Sequence, residues 1–301
     1  MTLILSLAAP HFVVQVSDRL VTYLATGLPK DAATTKMVLF CNSMAFGYMG
    51  LAELEGVTTD IWLWKVLAEG SDRDLGLALK RVAERAADAI EQTCRASVRR
   101  ADCRLAFVGV GFTRTASGEP LRPVLCRVSN FHGRDGRASP EPSDQFSVGF
   151  AVYGGPQSPP WGWLETGAPL RHSEQAWLSR ALRRFSMRAI GPGAVARLFH
   201  YTILDVSRRD RTVGRNLLAA IIPRSAADLS YVALAGPDNR SAFVLQTGPS
   251  TTAPPIFDPG NSMHFMSIPG DGNLATQQGP HIACPGMGFA MSSPTIEYGR
   301  K

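Results

Sequence analysis

Apolar residues arrive in short unbroken runs over the first fifty positions and at helical spacing over the next fifty. Residues 3–7 and 12–16 are rich in Leu, Ile and Val, and Ala8-Ala9-Pro10-His11 joins them as a short turn-like link. That pattern predicts a hairpin of strands buried on both faces, because a strand with one wet face would alternate. Residues 37–41 and 44–49 repeat it around Asn42-Ser43. The period then changes. Residues 51–69 read as a helix, and residues 71–96 carry Leu75, Leu79, Val82, Ala86 and Ile90 on one helical face. Ser71 with Asp74 three positions on resembles a capping box with a shortened acid.

Strand-like runs return at residues 105–112, 124–131 and 146–153, the last two joined by a polar loop over 132–145. Trp161, Trp163 and the prolines around them read as a packed loop. Helical spacing resumes over 173–185, with Trp177, Leu178, Ala181, Leu182 and Phe185. It resumes again over 193–209, with Val195, Leu198, Phe199, Thr202, Ile203 and Val206. Residues 217–222, 231–235 and 242–245 close the series as strands. Helices in consecutive pairs argue against a winding with one helix per strand. They fit an α+β chain of two mainly antiparallel sheets stacked together, a helix pair covering each outer face. From residue 248 the chain turns rich in Gly and Pro, so residues 1–247 read as one domain. Residues 248–301 read as an irregular extension laid on it at least in part.

Composition narrows the classes. With 45% hydrophobic and 19% charged residues and a mean hydropathy of −0.01, the chain can bury a large core. No apolar run approaches the ~20 residues of a membrane-spanning helix, so no membrane partner is expected. The net charge of +6 comes from 26 Arg and 5 Lys scattered without a basic run, which argues against nucleic acid. Five cysteines form no CxxC pair, so no disulfide framework is expected and a reducing, cytoplasmic setting is. None of the six His has ligand spacing to a Cys or another His, so no metal is expected. Gly109-Val110-Gly111 lacks the third glycine and following helix of a dinucleotide loop, and no cofactor is expected. The start has no Lys or Arg before Arg19 and only a short apolar stretch, and reads as mature protein rather than a signal peptide.

The candidate chemistry begins at residue 2. Removing Met1, which a small second residue permits, leaves Thr2 with a hydroxyl nucleophile and an α-amine whose unperturbed pKa is about 7.7–8.0. Such a pair needs a cation to depress the amine and a carboxylate to hold the cation. Asp18, at the end of the second run, can return beside Thr2 across the hairpin, and Lys36 opens the third run. Gly47 and Gly50, in Phe46-Gly47-Tyr48-Met49-Gly50, allow the close backbone approach of an oxyanion hole.

This combination resembles the proteasome β-subunit family of N-terminal-nucleophile (Ntn) hydrolases, including the bacterial two-component protease peptidase and ancestral-β-subunit proteins. The family places an Asp sixteen residues after its Thr in a hydrophobic-Ser/Ala-Asp-Arg motif, matched by Thr2 and Val16-Ser17-Asp18-Arg19. Its Lys precedes a strand that ends in a Gly-rich turn fourteen residues later, matched by Lys36 and Gly50. The resemblance implies a four-layer αββα sandwich and a threonine-type peptide hydrolase with Thr2, Asp18, Lys36, Gly50 and Asp210 as its catalytic set. It implies Thr22 as a backbone-binding residue and Gly47, Tyr48 and Ala52 as substrate-pocket positions. In Asp210-Arg211-Thr212-Val213-Gly214, Val213 takes the place of the family's assisting hydroxyl, and Glu165-Thr166-Gly167 matches the family's Gly-Ser-Gly only in part. The expected partners are peptide or protein substrates, further copies in a homo-oligomeric ring, and an ATPase unfoldase. Two alternatives stand beside this reading: an inactive ring scaffold or binding protein, and a small-molecule Ntn amidase.

Overall fold

The computed structural model describes residues 2–224 apart from 24–25, 32–33, 41–42, 70–73, 97–101, 115–119, 134–136 and 188–190, and beyond them 230–235, 245–247, 257–258 and 281–282. The first half runs β1 (Leu3–Ala8), β2 (Phe12–Asp18), β3 (Val21–Thr22), β4 (Pro29–Asp31), β5 (Met37–Phe40), β6 (Met44–Gly50), β7 (Glu53–Leu54), β8 (Val57–Thr58), α1 (Thr59–Ala68) and α2 (Leu75–Ala96). The second runs β9 (Leu105–Thr113), β10 (Arg122–Ser129), β11 (Ser147–Val152), β12 (Gly162–Gly167), α3 (His172–Met187) and α4 (Pro192–Arg209). Strands β13 (Leu217–Pro223), β14 (Ser230–Ala235), β15 (Leu245–Thr247), β16 (Phe257–Asp258) and β17 (His281–Ile282) follow.

Two antiparallel sheets result, ordered β12-β1-β2-β13-β14-β15 and β11-β10-β9-β6-β5-β16-β17. Three apolar layers hold them between the helices. Leu3, Leu5, Leu7, Val14 and Val16 point from the six-stranded sheet to Leu178, Leu182, Phe199 and Ile203 of α3 and α4. Phe46, Tyr48 and Phe107 point from the seven-stranded sheet to Trp62, Leu63, Leu79 and Val82 of α1 and α2. Between the sheets lie Val13, Met37, Leu39, Ala45, Val110 and Leu218. Strands β1 and β2 are therefore covered on both sides, which is why their apolarity does not alternate. The four layers α, β, β, α are those expected from the order of the elements.

Several boundaries differ from expectation. Residues 51–58 are not helical: β7 and β8 form a small hairpin turning at Glu55 (φ 50°) and Gly56 (φ 74°). The buried Leu51 and Leu54 and half-buried Val57 fall three apart and so mimic a helical face. Asp74 occupies the cap of α2 rather than a position inside its first turn: its carbonyl accepts from Ala78 N and its Oδ1 accepts from Leu77 N at 3.0 Å. Ser71, its expected partner, lies outside the described residues, as do residues 242–244 of the last expected strand. The stretch around Trp163 is strand β12, paired with β1 from Leu3↔Gly167 to Ala8↔Gly162, and not a packed loop. Its Gly and Trp residues hid the alternation. Cys103 is disulfide-bonded, against the expectation of none, so the cysteines no longer argue for a reducing compartment. Beyond 247, β16 pairs with β5 through Phe257↔Leu39, extending that sheet. No described helix is long and apolar enough to cross a membrane.

The layer beneath α4 yields a direct test. Phe199 is fully buried there, whereas Tyr201, two residues on, is 58% exposed. Phe199→Ala should cost ~3–5 kcal/mol in chemical denaturation through the cavity it leaves. Tyr201→Ala should stay within about 0.5 kcal/mol of the parent.

Candidate active site

Antiparallel pairing brings the start of β1, the end of β2, the start of β5 and the end of β6 to one end of the sandwich. Thr2 precedes β1 and Asp18 ends β2, both on the six-stranded sheet, and Ile4↔Ser17 fixes their register. Lys36 precedes β5 and Gly50 ends β6 on the other sheet, with Met37↔Gly47 as the corresponding register.

The Asp18 carboxylate, at the end of β2, is fully buried. Its Oδ1 accepts from Leu3 N at 2.8 Å, and its Oδ2 accepts from Leu20 N at 3.1 Å and Gly214 N at 3.0 Å. The Lys36 ammonium reaches across from the other sheet and is 2% exposed. Nζ donates to Thr2 Oγ1 at 2.6 Å, to Asp18 Oδ2 at 3.3 Å and to the Leu20 carbonyl. Its three donors therefore meet three acceptors, as a cation out of water requires. Burial pushes the Lys36 pKa below its ordinary value, and the Asp18 charge and hydrogen bond pull it back only in part. Thr2 is buried to within 6% of its surface, and its carbonyl accepts from Ala168 N at 2.8 Å.

Two glycines make this closeness possible. Gly167 has φ 109°, and a Cβ there would lie 1.7 Å from the Thr2 carbonyl oxygen. A Cβ on Gly214 would lie 2.6 Å from Leu20 Cβ and 3.3 Å from Asp18 Oδ2. Neither position admits a side chain without moving Thr2 or the Asp18 carboxylate.

The other expected site residues are placed as follows. Gly50 is exposed, ends β6 with φ 109°, and follows Tyr48, whose N–H donates to the Lys36 carbonyl at 3.2 Å. Thr22 is half-buried in β3, two residues beyond Leu20, and Ala52 is half-buried before β7. Gly47 does not open to solvent: a Cβ there would meet Ile4 Cδ1 at 3.0 Å and Gln15 Oε1 at 3.1 Å, inside the sandwich. Tyr48 is 1% exposed beneath the first helix pair, its hydroxyl donating to the Thr35 carbonyl at 3.2 Å. Asp210 turns its carboxylate to its own loop, accepting from Thr212 N at 2.9 Å and Thr212 Oγ1 at 2.5 Å. Val213 is buried against the α3–α4 layer. What reaches Asp18 from this loop is the Gly214 amide. Sequence reading missed that amide, the Leu20 carbonyl and the Gly167 approach, since backbone groups leave no residue-type signal. Only the isolated glycines at 167 and 214 hinted at two of them.

No protein-family model matches the chain, and no curated protein sequence does. Solved structures do match. The Gly-1 mutant of Anbu from Hyphomicrobium sp. strain MC1 superposes with a TM-score of 0.50 at 13% identity, covering 79% of this chain and 89% of that one. Anbu (ancestral beta-subunit) from Yersinia bercovieri gives a TM-score of 0.45 at 12% identity, covering 84% and 88%. At such identities the likeness concerns fold, and the chain has the α+β sandwich of the Ntn-hydrolase and proteasome-subunit fold.

Proposed function

We propose that the chain is a threonine-type amide hydrolase acting on peptides, with Thr2, freed of Met1, as its nucleophile. One observation carries this reading: a buried Lys36 ammonium 2.6 Å from Thr2 Oγ1, backed by a buried Asp18. Thr2 Oγ attacks the carbonyl carbon while the hydroxyl proton passes to the Thr2 α-amine. The Lys36 N–H stabilises the oxygen as its proton leaves, and the Gly50 amide receives the developing oxyanion. The ammonium formed on Thr2 then protonates the departing amine, leaving an acyl ester on Oγ. Water attacks that ester with the α-amine again as base, and the acid departs as the proton returns to Oγ. A cation at Lys36 disfavours protonation of the neighbouring amine, and one unit of pKa shift corresponds to about 1.36 kcal/mol.

A second reading is an inactive scaffold or binding protein of the same fold. Buried Val213 in the place of the assisting hydroxyl, and Asp210 occupied by Thr212, favour it. The fold likeness supports this reading as far as it goes, since it concerns the sandwich and says nothing of a nucleophile. Assembly into a homo-oligomeric ring fits both. Among the described residues no strand pairs with the outer side of β11, which exposes Phe150 at 66% and Val148 at 38%, the kind of apolar edge that calls for cover.

Three measurements separate these readings. A hydroxyl-directed boronate or β-lactone should label wild type at Thr2 by peptide mapping. Labelling and cleavage of fluorogenic peptides should fall at least ~10²-fold in Thr2→Ala and Lys36→Met, the scale of a lost acid–base partner. Lys36→Arg should fall with them, because a planar guanidinium does not fit a site built for a compact ammonium. Folded, unlabelled wild type would favour the scaffold.

Sedimentation should give a discrete closed oligomer, and a concentration-independent monomer would contradict assembly.

The Lys36 shift also has a consequence for stability. Its pKa is lowered on folding, so between the lowered value and 10.5 the unfolded chain binds more protons, and stability rises with pH across that window. The stability of wild type relative to Lys36→Met should therefore increase from neutral pH toward pH ~10. A flat difference would show that Lys36 keeps its ordinary value.

A further inference from the structure

We infer that Gln15 is a positioning residue for this site, fixing the separation and register of the two sheets that carry its two halves. The inference rests on the Thr2 reading above. Thr2 and Asp18 belong to one sheet and Lys36 to the other, so the 2.6 Å contact between Lys36 and Thr2 depends on how the sheets are set against each other. Most of what lies between them is apolar, including Val13, Met37, Leu39, Ala45 and Val110. Dispersion contacts are non-directional and resist separation better than they resist sliding. A hydrogen bond is directional, and Gln15 makes one there.

Gln15 lies on β2, three residues before Asp18, and is fully buried. Its Nε2 donates to Ser6 Oγ on β1 at 3.0 Å, within its own sheet, and to the Val108 carbonyl on β9 at 3.1 Å, across the gap. Val108 stands opposite Gly47 in the β6–β9 ladder, and Gly47 stands opposite Met37, the residue after Lys36. The amide thus ties the strand ending in Asp18 to the level of the other sheet from which Lys36 projects. Gly47 makes room for it: a Cβ there would lie 3.1 Å from Gln15 Oε1 and 3.3 Å from the Lys36 carbonyl oxygen. The same Oε1 has no hydrogen-bond partner among the described residues. An apolar side chain of equal size would fill the space without an orphaned acceptor, so packing alone does not account for an amide here.

The test compares Gln15→Met, which keeps the volume and loses both bonds, with Ser6→Ala, which loses only the bond inside one sheet. The readouts are the rate and pH profile of Thr2 labelling by a boronate electrophile, and the Lys36 Nζ resonance, assigned by its loss in Lys36→Met. Gln15→Met should slow labelling ten- to a hundredfold, the scale of a sub-ångström to 1 Å misplacement, and shift both the pH profile and the Lys36 resonance. Ser6→Ala should leave all three near wild type. If Gln15→Met does not fold, Gln15→Leu, which also lacks both bonds, carries the same expectation. Equal effects of Gln15→Met and Ser6→Ala, or a folded Gln15 variant with unchanged profile and resonance, would overturn the inference. If wild type is never labelled, the nucleophile reading fails, and the Lys36 resonance alone still decides for or against Gln15.

Discussion

An ammonium taken out of water must find an acceptor for each of its hydrogens, and Lys36 finds all three at the junction of two sheets. Much of the surrounding structure answers to that requirement. The acceptors are the Thr2 hydroxyl, the Asp18 carboxylate and the Leu20 carbonyl, all from the six-stranded sheet or the turn leaving it, while the donor comes from the seven-stranded sheet. Asp18 in turn draws in the amides of Leu3, Leu20 and Gly214. Removing one partner of such a pair leaves an uncompensated buried charge, which costs far more than the pair contributes when intact. The strand ends at this point are therefore held by electrostatics as much as by packing.

The sandwich supplies the rigid frame. Strands covered on both faces leave no wet face to adjust, and helix pairs on each side lock the side chains that point outward from the sheets. Residues at the ends of central strands inherit that rigidity while remaining next to loops. Gly167 and Gly214 complete it by letting backbone come closer to Thr2 and Asp18 than any side chain would permit.

The sequence made the frame legible wherever burial had a simple signature. Unbroken apolar runs gave the central strands, and the helical stripes of residues 75–90 and 195–206 gave α2 and α4. It misled where spacing imitated another period, as at Leu51, Leu54 and Val57, and where Gly and Trp masked strand β12. The juxtaposition of Thr2, Asp18 and Lys36 was readable from spacing and family resemblance, because side-chain chemistry at strand ends is visible in one dimension. Backbone donors and acceptors are not, which is why the Leu20 carbonyl and the Gly214 amide went unseen. Gln15 went unmarked for a related reason: a single polar residue in a run buried on both faces has no spacing signal to name its partner, which lies on the second sheet.

The central claim is that Lys36 acts on Thr2 as a cation acts on a neighbouring amine. Nitrogen NMR of the purified, Thr-labelled protein would titrate the Thr2 α-amine directly, in wild type and in Lys36→Met. The account predicts a free amine titrating below the ordinary 7.7–8.0 in wild type and rising by about one unit when the charge is removed. An absent amine signal, or the same pKa in both proteins, would contradict it.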